Sequence, residues 1–139
     1  MALTGTLTEP RRIGRSVAAI LSGLVAGAAL SLGTDQLLHV LKVYPPWGEP
    51  MYAAGLNALA LSYRVVYDTF GSYLAARFAP SNSMRHALIV GAIGLVPSVA
   101  GVVAATKIDL GPMWYPIALA ASVMPTAWIG GVLHRVSSR

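Results

Sequence analysis

Ala87–Thr106 reads ALIVGAIGLVPSVAGVVAAT, twenty residues without one charged side chain. A helix needs roughly 20 apolar residues to cross the hydrocarbon of a bilayer, and this stretch supplies them. It is too long for a strand, and a membrane barrel would need an alternation of apolar and polar residues that is absent. Three further blocks share its character, so that spans are expected at about 16–41, 51–76, 87–106 and 113–133. Composition agrees: 55% of the 139 residues are hydrophobic and 11% are charged, whereas about 25% charged is usual in soluble domains. The expected fold is therefore all-α, an integral membrane four-helix bundle forming one domain over residues 1–139. Short connections favour antiparallel neighbours and an up-down-up-down order.

The formal charge of +5 would suit nucleic acid if it formed a patch, but its placement argues against that partner. Arg11, Arg12, Arg15, Arg77, Arg85, Arg135 and Arg139 fall on one side of the expected spans, and only Lys42 and Lys107 on the other. Basic residues concentrate on the cytoplasmic side of membrane proteins, so both termini are expected in the cytoplasm and the protein in the cell (inner) membrane. The apolar run after Arg15 continues to Leu41, beyond the core of a signal peptide, so cleavage is not expected. The sequence has no cysteine, which removes disulfides, thiolate catalysis and cysteine metal sites.

The outer connections, Lys42–Pro50 and Asp109–Pro112, are rich in proline and glycine and cannot be helical throughout. Tyr44, Trp47, Tyr52, Trp114 and Tyr115 lie where an interfacial aromatic belt is expected. Met1–Pro10 reads as polar chain outside helix one, which should start near Ile13–Ser16. Asn82 or Ser83 is suited to cap helix three. Gly23 and Gly27, Gly71 and Ala75, Ala87 and Gly91, and Gly101 and Ala105 are spaced for close helix approach in lipid. Such faces serve bundle packing or a homo-oligomer. Pro97 and Pro125 fall inside helices three and four and allow kinks there.

The chemistry lies in the first hairpin. Arg64 and Asp68 interrupt the second block, four residues apart on one helical face, with Tyr63 and Tyr67 beside them. Charged residues in hydrocarbon are costly and are usually retained for a purpose. In helix one Asp35 and His39 are also four apart, next to Thr34. At about 1.5 Å per residue, Asp35 and Asn57 each lie roughly 9 Å from the outer end and Arg64 roughly 20 Å. The expected network is His39–Asp35–Asn57 above and Tyr63–Arg64–Asp68 below, a polar track from the outer face. Arg64 can stay with Asp68 or reach up to Asp35. The alternatives for the pair are a structural ion pair fixing register, a ligand, proton or ion site, and a contact to a partner subunit. His86 and His134, at the inner ends of helices three and four, are expected to meet lipid headgroups.

No catalytic motif, phosphate-binding loop or dinucleotide fingerprint is present, and two ligands on one helix are too few for a metal. The expected function is non-enzymatic and free of cofactor: a small membrane protein whose polar site (Arg64, Asp68, Asp35, His39, Asn57, Tyr63, Tyr67) binds or transports a small anionic or proton-coupled solute. The alternative is an accessory subunit or assembly factor of a larger membrane complex. The lipid bilayer is a partner in either case.

Overall fold

Proline and glycine decide where the helices stop. The computed structural model describes residues 2–138, with side chains from Arg12 onward. Its elements are α1 (Ala2–Val40), α2 (Ala54–Phe78), α3 (Ser83–Lys107) and α4 (Trp114–Ser137), with no strand among the described residues. The all-α reading holds. Three helices are long and apolar enough to cross a membrane: Arg12–Val40, Ser83–Lys107 and Trp114–Ser137. Helix α2 matches them in length with 25 residues, but Asn57, Arg64 and Asp68 lower its hydropathy. It packs against all three other helices.

The boundaries differ from expectation in several places, among them the end of α4, which runs to Ser137 and not 133. The backbone of α1 continues to Ala2, through Pro10, because a proline removes one donor and leaves the helix on either side intact. At its other end Lys42 adopts a left-handed conformation, φ 63°, and the amides of Val43 and Tyr44 both donate to the Leu38 carbonyl. Helix α2 starts at Ala54, past Met51, whose amide is drawn to the Leu110 carbonyl of the second outer loop at 2.7 Å. Asn82 sits at the N-cap of α3 without a side-chain cap bond; at φ 49° it offers its carbonyl to the amide and Nδ1 of His86 instead.

Helix pairing follows the small residues. A Cβ on Gly23 would run into the Gly71 carbonyl, so α1 and α2 touch backbone to backbone. Gly91 meets Ala127 and Met124, which closes α3 against α4. Gly130 abuts the Thr69 carbonyl and Ser72, which brings α4 beside α2. Neighbours around the bundle are therefore α1, α2, α4 and α3. Among the described residues α1 meets α3 only sparsely and α4 not at all. A Cβ on Gly101 would meet nothing within 4 Å, so the Gly101–Ala105 spacing takes no part in this packing.

The contacts also fix direction. Ser16 bonds His86, and Tyr73 faces His134, so the start of α1, the end of α2, the start of α3 and the end of α4 share one end of the bundle. Arg12, Arg15, Arg77, Arg85 and Arg135 are all there; Arg11 and Arg139 lie outside the residues whose side chains are described. The other end holds Lys42, Glu49, Lys107 and Asp109. The helices thus alternate in direction, while α2 and α4, which are adjacent, run parallel.

Candidate functional site

Helices project their side chains toward their own N-termini. Helix α2 begins at the loop-rich end, so Arg64 points that way, toward Asp35 on the antiparallel α1. Asp68 lies one turn in the opposite direction. The expected in-helix pair therefore does not form. Arg64 Nη2 donates to Asp35 Oδ2, the ion pair found among the described residues. Tyr63 donates its hydroxyl to the other oxygen, Oδ1, so both carboxylate oxygens of Asp35 are held. The carboxylate is buried, with the residue only 6% exposed. Tyr44 in turn donates to Tyr63 at 3.0 Å. Burial pushes the Tyr44 phenol up, so it remains a donor at neutral pH.

The rest of the expected network resolves differently. His39 lies next to Asp35, but its Nδ1 contacts the Asp35 backbone carbonyl at 2.6 Å, not the carboxylate. Its ring stacks on Trp47 at 3.8 Å between centroids and meets the edge of Tyr44. Asn57 is buried and spends its amide on the Met51 and Ala53 carbonyls, at 3.0 and 2.9 Å. It fastens the outer loop to α2 and does not touch Asp35. Tyr67 bonds Thr34 at 2.9 Å, a second link between α1 and α2. Asp68 has neither hydrogen bond nor ion pair among the described residues.

Two cavities meet at this network. The larger, about 570 Å³, lies among the four helices, open on the side where α1 stands away from α3 and α4, and is lined by Gly27, Ser31, Arg64, Asp68, Ser72 and Tyr115 together with apolar side chains. The smaller, about 210 Å³, opens under the first outer loop and is lined by Asp35, His39, Tyr44, Trp47, Glu49 and Arg64. Arg64 and Tyr115 border both, and the Arg64–Asp35 pair forms a wall between them. Arg64 Nε is buried and makes no hydrogen bond. On α3 and α4, Ser98, Ser122 and Thr126 each bond a carbonyl of their own helix, next to or near Pro97 and Pro125.

Several participants carry no clear signal in the sequence. Tyr44 and Tyr115 read as belt residues, yet Tyr44 is 5% exposed and bonded into the network, and Tyr115 lines the central cavity. Trp47, Tyr52 and Trp114 are exposed, as a belt requires. Ser72 could have been suspected only from its place one turn below Asp68. His86 is buried, and its Nε2 meets Ser16 at 2.9 Å, tying α1 to α3 and leaving it unavailable to headgroups. Among the described residues no group of three potential ligands could hold a metal ion.

Fold and site together define a helical membrane protein with an ion-pair network across its first hairpin and a charged cavity behind it. Compared with protein families, curated proteins and solved structures, the chain matches none.

Proposed function

We propose that this protein binds a small solute in its central cavity and carries it across the membrane. One observation carries the reading: Arg64 and Asp68 do not neutralise each other, and both line a cavity of about 570 Å³. A purely structural pair would be dry and mutually satisfied. Pockets for small molecules have volumes of about 300–1,000 Å³, with a few polar groups set among apolar ones. Asp68 suits proton coupling, and the unbonded Nε of Arg64 suits a carboxylate or other anion. The Arg64–Asp35 wall would open and close the route to the smaller outer cavity. No catalytic step is assigned. The concentration of arginine at one end supports placement in the cell (inner) membrane, termini inside.

The test is flux in proteoliposomes across a panel of small carboxylates and amines, corrected for empty liposomes. Arg64→Ala should lower it at least tenfold with helicity unchanged by circular dichroism. Undiminished flux in that variant would remove Arg64 from the site. A second reading, an accessory subunit, draws on the Gly101–Ala105 spacing of α3, where Gly101 packs on nothing within the chain. Purification in mild detergent should then recover a defined complex with other membrane proteins; a lone monomer or homodimer counts against it.

A further inference from the structure

If the central cavity is a solute site, as proposed above, its charge selects the solute. The charged groups at the cavity and its wall are Asp35 on α1 and Arg64 and Asp68 on α2. On α3 and α4 the lining adds no carboxylate, amine or imidazole, and Tyr115 contributes a phenol ring. Two carboxylates thus face one guanidinium. Arg64 is committed to Asp35, whose two oxygens are both occupied. The unmatched charge is the carboxylate of Asp68, which has no partner among the described residues.

A carboxylate in such a setting takes a proton or a cation. A proton would neutralise Asp68 but would leave the rest of a cavity of about 570 Å³ unfilled, where a water takes up about 30 Å³. A hard metal ion takes six or more oxygens, mostly carboxylates and carbonyls, and the cavity offers one carboxylate with the hydroxyls of Ser31 and Ser72 among apolar side chains. The absent side chain of Gly27 leaves room beside the charge: a Cβ there would lie 3.8 Å from Asp68 Oδ1. The ring of Tyr115 on the same cavity is of the kind that attracts a cation over its face. We infer that the central cavity takes an organic cation with an apolar body, an amine or quaternary ammonium, and that Asp68 is its counter-charge. An anion would find only the buried Nε of Arg64 free while Nη2 holds Asp35.

Three probes of one shape separate these outcomes: benzyltrimethylammonium, its uncharged carbon isostere neopentylbenzene, and phenylmethanesulfonate. Binding is measured to the full chain in lipid nanodiscs, with empty nanodiscs subtracting partition into lipid. The ammonium should bind at least tenfold more tightly than the isostere. Asp68→Asn should abolish that preference, and Asp68→Glu, which keeps the charge, should retain it. Gly27→Val should weaken the ammonium by filling the space beside Asp68, with thermal unfolding confirming that each variant is folded. Equal binding of ammonium and isostere, or a preference that survives in Asp68→Asn, overturns the inference. Selective binding of the sulfonate, lost in Arg64→Ala, also overturns it while leaving the solute-site reading intact. No binding of any probe, with no flux of any solute in the panel above, overturns both.

Discussion

At the scale of single residues, Arg64 faced two acids and its direction chose between them. A side chain on α2 leans toward the loop-rich end, so the partner is Asp35 across the helix interface and not Asp68 on its own helix. The two acids should therefore respond very differently to neutralisation. Asp35→Asn leaves the part-buried guanidinium without its counter-charge and should cost about 2 kcal/mol, somewhat less than the penalty for breaking a fully buried pair. Asp68→Asn breaks no bond and should change stability by less than about 1 kcal/mol. Chemical denaturation in detergent micelles, followed by helicity, ranks them; the reverse ranking would mean that Arg64 pairs with Asp68. Tyr63→Phe should lie between, at about 1 kcal/mol, because it removes the hydroxyl that links Asp35 to Tyr44. The sequence made the polar residues of the hairpin visible, since each is an exception within apolar chain. It did not reveal their pairing, because i,i+4 spacing allows a bond without requiring one. It also left Tyr44 among the belt aromatics: a tyrosine in a proline-rich loop looks the same whether its ring faces lipid or folds inward.

At the scale of helices, close approach depends on individual glycines. Gly23 and Gly71 cross where any side chain would strike the opposing backbone, and backbone cannot swing aside. Gly33, on the same helix as Gly23, is exposed with nothing within 4 Å of its would-be Cβ. Gly23→Ala should therefore lower stability by about 2 kcal/mol, the cost of overpacking a tight contact. Gly33→Ala should leave stability unchanged or raise it by up to about 1 kcal/mol through helix propensity. Thermal unfolding of both variants in one detergent makes the comparison, and equal effects would show that α1 and α2 do not cross at Gly23. The small residues of this contact were visible as spacing at Gly23–Gly27 and Gly71–Ala75, but the same interval at Gly101–Ala105 makes no such contact, so spacing alone did not name the pair. The adjacency of α2 and α4 was not legible. It rests on Gly130, which sits against Thr69 and Ser72, and neither side has a repeated pattern that would disclose the other. Nor did pattern predict that α1 would pull away from α4 and open the interior where the cavity lies.

At the scale of the molecule, the charges divide the bundle into two unlike ends. Arg12, Arg15, Arg77, Arg85 and Arg135 gather at one, and Lys42 and Lys107 share the other with Glu49 and Asp109. That division was readable once four spans were drawn, because alternating direction sends every second connection to the same side. The orientation proposed above rests on the tendency of basic residues to stay on the cytoplasmic side of a membrane. The absence of native cysteine makes this directly measurable, since an introduced thiol has no background. Glu49→Cys places one on the exposed first outer loop, and Ser138→Cys places one at the arginine-rich end. In intact cells a membrane-impermeant maleimide should label Glu49→Cys and spare Ser138→Cys, and permeabilised cells should label both. Labelling of Ser138→Cys alone would invert the protein. The small cavity beneath the Trp47 loop would then face the cytoplasm, and the Arg64–Asp35 wall would guard the inner mouth of the route in place of the outer one.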